Sequence, residues 1–466
     1  MASLFYSFAF IFLSSIFIHQ PYVTGENSGD HRHIIKVHSL LPGTSCKDSH
    51  NGNSLKLVHR QGPCSPLFKH SKKPINHNQI LAQDQSHVDS IRHRHRSSIS
   101  TTIEPNKARR APVAATKIPA HTGTSFSTSN YIVTVGLGTP KHSLTLVFDT
   151  GSDVTWVQCK PCSSSCYSQQ EPVFEPTKSS TYSNVSCSAP ACEQLDTSGC
   201  SGTTCQYAVQ YGDNSYTMGS FSKDTLTLSN SDVLPGFYFG CGDNNKGLFG
   251  KAAGLLGLGR GPTSLVSQST AKYGGVFSYC LPSTSASTGY LNFGGAAPAN
   301  VKYTPMITDS SMATFYFLKL VSISVGGTKL SISPTVFSDA GTLIDSGTVI
   351  SRLPPAAYSS LRQAFRQKMT KYPTAPALSI LDTCYDLSNY STVGIPTVAL
   401  EFGGGVVVDL DFSGILYVSS LSQVCLAFAG NGDAGDVGIF GNVQQHKLSV
   451  VYNIANKVVG FGKGGC

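Results

Sequence analysis

Leu146-Val147-Phe148-Asp149-Thr150-Gly151-Ser152 recurs, 196 positions on, as Leu343-Ile344-Asp345-Ser346-Gly347-Thr348. In each copy an apolar run of buried-strand type ends in Asp-(Thr/Ser)-Gly-(Ser/Thr), a tight turn. Each copy therefore carries a carboxylate out of a buried strand onto a loop that glycine permits. Such a tetrapeptide arises by chance at roughly one position in 10^4 at ordinary residue frequencies. Two copies with the same apolar lead-in describe a chain built twice, each half contributing one Asp.

The surrounding sequence repeats at a second level. Leu255-Leu256-Gly257 follows the first Asp loop and Ile439-Phe440-Gly441 the second, Gly257 by 108 positions and Gly441 by 96. Charged residues make up only 13% of the 466, glycine numbers 45, and long helical periodicity is nearly absent. This composition predicts an all-β architecture of two related lobes. Strands are expected at 130–135, 144–148 and 207–211, and a pair of strands at 448–461 around a turn at 453–457. The clearest helix is 354–372, where Ala357, Leu361, Phe365 and Met369 recur at i+4.

The formal net charge of +8 is unevenly placed. Residues 1–25 are uncharged, and Leu4 to Ile18 is apolar. That stretch is too short to span a bilayer comfortably and reads as a secretory signal, with no stable membrane anchor expected. Between Glu26 and Arg110 there are 14 Lys and Arg against 6 Asp and Glu, whereas Ala111 to Cys466 has 20 of each. Ten of the 14 histidines lie between His31 and His95. The division is thus a signal at 1–25, a basic propeptide at 26–110, an N-terminal lobe at 111–300 and a C-terminal lobe at 301–466. In the leader, 55–60 reads as a strand and 84–96 as a basic helix. Its run Arg92-His93-Arg94-His95-Arg96 allows a nucleic-acid-binding reading; the simpler reading is a basic segment lying over a carboxylate-bearing cleft.

Two cysteines lie in the leader and twelve in the body, seven of them in a stapled insertion at 159–205. An even count behind a signal peptide favours disulfides over a metal site. Trp156, the only Trp, follows Asp149 by seven positions and is a candidate cleft wall. Tyr211, before the turn residues Gly212-Asp213-Asn214, is a candidate for the tip of a covering hairpin.

Two neighbouring carboxylates cannot both ionise cheaply, so the pair shares a proton. One then serves as general base on a water while the other serves as general acid toward a carbonyl. Aspartic proteases are the standard instance of this arrangement. No metal, cofactor or covalent nucleophile is needed.

Residues 130–466 resemble the pepsin-like aspartic proteases of the plant nepenthesin-like branch. Within that branch, 57–66 and 430–433 are similar to the chloroplast-nucleoid DNA-binding and apoplastic subgroup. The resemblance implies a bilobal fold with a cleft between the lobes and an aspartic endopeptidase, made as a zymogen and working in acid on protein or peptide substrates. It implies Asp149 and Asp345 as the dyad, and Thr150 and Ser346 as braces between the loops. Ser152 and Thr348 would hydrogen-bond the carboxylates, with Gly151 and Gly347 completing the turns. Trp156 and Tyr211 fall at the cleft-Trp and flap-Tyr positions. The implied disulfides are Cys159–Cys162, Cys166–Cys241, Cys187–Cys205, Cys192–Cys200, Cys280–Cys466 and Cys384–Cys425. The subgroup has been linked to secretion and to plastids; the uncharged apolar N-terminus and paired cysteines favour secretion to the apoplast, and Asn184 and Asn389 are glycosylation sequons. A monomer is expected, with its own propeptide as intramolecular inhibitor. Acid should neutralise the cleft carboxylates and charge the leader's histidines, weakening the pairing. The competing readings are a pepsin-fold inhibitor or binding protein, and a protease whose leader binds DNA.

Overall fold

In a computed structural model of the chain, the described residues are 31–41, 43–48, 54–68, 75–101, 131–211, 215–230, 232–247, 249–295, 298, 300–308, 312–337 and 341–466. The proposed signal, the 109–110 boundary and the Gly212-Asp213-Asn214 turn lie outside them.

Each repeated motif sits in the same strand arrangement. His142–Asp149 carries the first Asp at its end and runs parallel to Gly254–Gly257, with Leu255 beside Val147 and Leu256 beside Phe148. Thr342–Ile344 leads to the second and runs parallel to Gly438–Phe440, with Ile439 beside Leu343. The strands that leave the loops match as well. Trp156–Gln158 pairs antiparallel with the first of these apolar strands and parallel with Val233–Lys246. Ser351–Leu353 pairs antiparallel with the second and parallel with Phe428–Gly430. Parallel strands are buried on both faces, which is why both lead-ins are continuous apolar runs instead of alternating ones.

The halves meet on an antiparallel platform. Val276–Cys280 pairs with Thr288–Phe293 on one side and with Leu448–Asn453 on the other, and the series continues through Val458–Lys463 to Lys302–Ile307. Phe277, Tyr279 and Tyr452 are fully enclosed there, with Phe277 stacked on Tyr452 at 4.5 Å between ring centroids. The helix Pro355–Lys368 covers the C-terminal half; Ala357, Leu361, Phe365 and, just beyond its end, Met369 are all fully buried.

The leader is woven into this body. Arg32–Lys36 pairs antiparallel with Thr392–Pro396. Leu55–His59 extends the platform beside Thr288–Leu291 and also touches Tyr131–Ile132. The basic helix is longer than the sequence suggested, His77–Thr101. The leader closes its own loop through Cys46–Cys64.

Four expected disulfide pairings are corrected. The structure joins Cys159–Cys241, Cys162–Cys166, Cys187–Cys200 and Cys192–Cys205. Val157 and Cys241 are partners on adjacent parallel strands and the Cys159 amide donates to Gly242 O at 2.8 Å, so Cys159 lies over Cys241 and not over Cys162. In the insertion the partners share an environment. Cys192 and Cys205 are both buried in the cluster around Trp156, whereas Cys187 and Cys200 lie toward the surface. Cys280–Cys466 and Cys384–Cys425 are joined as well.

Candidate active site

The two Asp loops meet face to face and hold each other. The Thr150 amide donates to Ser346 Oγ at 3.1 Å, the Ser346 amide donates to Thr150 Oγ1 at 2.9 Å, and the two hydroxyls lie 3.2 Å apart. Each loop also hydrogen-bonds its own carboxylate twice. Asp149 accepts from the Gly151 amide at 2.9 Å and from Ser152 Oγ at 2.5 Å. Asp345 accepts from the Gly347 amide at 2.9 Å and from Thr348 Oγ1 at 2.7 Å. Glycine is required by proximity: a Cβ on Gly151 would lie 3.0 Å from Asp345 Oδ1, and one on Gly347 would lie 2.9 Å from Asp149 Oδ1. The inner oxygens of both carboxylates thus face a single small space.

The strands beneath tie in symmetrically. Gly257 donates its amide to Thr155 Oγ1 at 3.1 Å, and Gly441 donates its amide to Ser351 Oγ at 2.9 Å. Thr155 and Ser351 each lie six positions after their Asp.

The charges are not symmetric. His87 of the leader helix reaches the dyad, with Nε2 3.0 Å from Asp345 Oδ2. Burial alone would raise the Asp345 pKa, but the His87 hydrogen bond and charge, with the Thr348 and Gly347 donors, hold it below the ordinary carboxylate value. Burial, and then the Asp345 charge, raise that of Asp149. Burial would lower His87, but its bond to Asp345 and the attraction of nearby carboxylates raise it. With the leader seated, the dyad is therefore electrostatically uneven, Asp149 pushed up and Asp345 held down.

Trp156 is fully buried and donates from Nε1 to Tyr211 Oη at 2.8 Å, with Phe249 packed edge-on against both rings. The Trp thus braces the hairpin at its turn end. The hairpin is closed by the Tyr211 amide bonding Ser215 O at 2.8 Å. Asn184 and Asn389 are both exposed.

Three leader contacts had no individual signal in the sequence. Asp84, fully buried, accepts from the amides of Val349 and Ile350 at 2.6 and 3.1 Å and pairs with Arg352 at 3.0 Å. His87 meets the dyad. Arg92 lies 3.4 Å from the Asp436 carboxylate and donates to Asn431 Oδ1 at 2.8 Å. Leu81, Val88 and Ile91 share this helix face and are buried against the C-terminal half. The spacing 81, 84, 88, 91 is a helical stripe that an eye drawn to the basic residues passes over. Arg92, part of the basic run, is turned inward onto a carboxylate.

Residues 131–295 match the family model described as Xylanase inhibitor N-terminal, and 315–463 the one described as Xylanase inhibitor C-terminal. An aspartyl protease family protein of Arabidopsis thaliana is 50% identical over 447 residues, 93% of each chain. The chain belongs to the plant aspartyl protease family. Another aspartyl protease family relative from Arabidopsis thaliana is 49% identical across 93% of this chain and 92% of its own. The aspartic proteinase nepenthesin-2 of Nepenthes gracilis is 39% identical across 71% of this chain and 76% of its own. Among solved structures, edgp has a TM-score of 0.61 at 20% identity, covering 73% of this chain and 93% of that chain. The basic 7S globulin from soybean has a TM-score of 0.58 at 22% identity, covering 71% and 92%. These two share the pepsin-like fold of this aspartyl protease family member. Among the described residues no helix is long and apolar enough to cross a membrane.

Proposed function

We infer that the chain is the zymogen of an aspartic endopeptidase. The observation that carries this reading is the pair of cross-braced carboxylates, each hydrogen-bonded by its own loop and both facing one space. In the working enzyme the ionised member takes a proton from water as that water attacks a peptide carbonyl. The protonated member gives its proton to the carbonyl oxygen. As the tetrahedral diol collapses, one carboxylate takes a proton from a hydroxyl while the other delivers its proton to the leaving nitrogen, so the dyad again holds one shared proton. Thr150 and Ser346 keep the carboxylates at fixed separation, which is what proton sharing demands.

The leader supplies the inhibition. Its helix fills the cleft with an apolar stripe, an ion pair with Arg352 and His87 on the dyad. Release in acid follows a different route from simple charging of histidines. His87 has a raised pKa, so its contact is strongest below the ordinary histidine value and is lost as pH rises through the raised one. Asp345 has a lowered pKa, so its share survives until pH falls through that lowered value. Acid therefore strengthens His87–Asp345 before breaking it. At this contact, charging the histidine opposes the loosening expected from neutralising the cleft carboxylates.

The histidines that do oppose acid lie at the other seam. Burial lowers His59 of the leader strand to about 3 and His446 beneath it to about 4. Their neutral forms are favoured in the folded chain. The stability they contribute is present above the ordinary histidine pKa and is lost as pH falls toward those values.

Secretion and modification at Asn184 and Asn389 belong to the same reading, and the natural substrate is a protein or peptide. The direct test is hydrolysis of a denatured protein between about pH 3 and pH 7 by wild type and by Asp149→Asn. Acid-range hydrolysis by wild type alone supports the dyad. Hydrolysis by both rejects it, and hydrolysis by neither favours a binding or inhibitor protein on the same fold.

A further inference from the structure

Asp84 occupies a site that the body supplies in full. Val349 and Ile350 present successive amides at 2.6 and 3.1 Å, and the Arg352 guanidinium stands 3.0 Å from the same carboxylate. Arg352 is fully buried, and its NH1 is anchored on Ile350 O at 2.6 Å, which fixes the direction of the planar fork. Its Nε has no hydrogen-bond partner among the described residues, and NH2 reaches Gln85 Oε1 at 3.3 Å. Two adjacent backbone donors backed by a guanidinium form an anion nest. The nest begins four residues after Asp345, and its occupant lies one helical turn before His87, the residue that touches the dyad. It is therefore part of the cleft.

Departure of the leader helix takes Asp84 with it. The two amides then have no partner from the chain, and the Arg352 guanidinium loses the carboxylate it pairs with. Leaving such donors unpaired is costly, so the groove favours whatever restores an acceptor there. Asp84 shows which acceptor fits: a side-chain carboxylate on a peptide, held by charge-assisted bonds. Around it the site carries one further cation, Arg92, and the acid Asp89, both on the departing helix.

We propose that in the opened cleft the Val349 and Ile350 amides and the Arg352 guanidinium form a subsite for an Asp or Glu side chain of the substrate, with Asp84 as its internal stand-in. This rests on the endopeptidase reading above. Arg352 is a specificity residue and not a catalytic one, since it touches neither dyad carboxylate in the structure.

The test starts from the full chain, activated in acid and then given a diverse peptide pool at about pH 5, where an exposed carboxylate is mostly ionised. The expected result is enrichment of Asp and Glu at one fixed position relative to the cut. A matched peptide pair differing as Glu against Gln at that position should differ about tenfold in kcat/KM. In Arg352→Gln the ratio should fall toward one; Arg352→Lys should restore part of it, because charge returns without the fork. Should Arg352→Gln fail to fold, the wild-type Glu/Gln pair alone decides. A second readout is Asp84→Asn, which should shed its leader several-fold faster at a given acid pH. Cleavage of the pool without acidic enrichment, or enrichment that persists in Arg352→Gln, overturns the subsite and leaves the endopeptidase reading standing. Absence of all cleavage overturns both.

Discussion

Seven positions after Asp149 stands Trp156; seven positions after Asp345 stands Arg352. Both are fully buried, and both sit on strands that pair the same way with their neighbours. The Trp donates to Tyr211 of a hairpin in its own half, whereas the Arg pairs with Asp84 of the leader. Four positions after each Asp the contrast repeats. Asp153 accepts from the Gly261 amide at 2.8 Å and from Thr314 Oγ1 at 2.9 Å, whereas the Val349 amide donates to Asp84. Duplication thus preserved the dyad and its braces while the flanks diverged. The N-terminal flank finds its partners within the body. The C-terminal flank takes its carboxylate from outside, first from the leader and, in the proposed enzyme, from substrate.

That contrast can be broken from either side. Arg352→Met leaves Asp84 buried without its countercharge, which should cost the full chain about 3 kcal/mol, read as a lower urea midpoint at neutral pH. Trp156→Phe keeps a buried aromatic and loses one neutral hydrogen bond, so its cost should be about 1 kcal/mol. Equal losses in the two variants would mean that the flanks are not differently built.

The histidines should separate in sign. His87→Gln removes a contact that acid reinforces, so the leader should leave at a higher pH. His59→Gln removes a group that resists protonation, so the leader should leave at a lower pH. Each shift should be on the order of half a pH unit, followed by the accessibility of the leader to an added protease. Shifts of the same sign would remove the distinction between the two seams. The smallest effect should come from Gln85→Ala, whose bond to Arg352 is long and adds to one that Asp84 already makes. It should change the stability of the full chain by less than about 0.5 kcal/mol.

The body was largely legible in the sequence because its signals are local. Apolar strands ending in Asp-x-Gly, their apolar-Gly counterparts, the 354–372 helix and the closing strand pair all depend on neighbouring residues. The equal spacing of Trp156 and Arg352 from their Asp was also there to be read, but one is aromatic and the other cationic, and composition hides the correspondence. The leader's work was not legible. Asp84 is one of two acids in a basic helix, and only the fold reveals that it meets two amides and an arginine. His87 is one of ten leader histidines, and nothing local distinguishes it from the others. The disulfides of the insertion depended on which cysteines share a buried cluster, which spacing does not encode.

The most direct measurement is self-processing. The full-length wild type and Asp149→Asn are incubated separately at about pH 4, below the ordinary histidine range, and the intact masses are followed with time. The account predicts that the wild type loses its leader by cleavage between the basic helix and Tyr131, while Asp149→Asn remains full length. Removal of the leader at the same rate in both would contradict it.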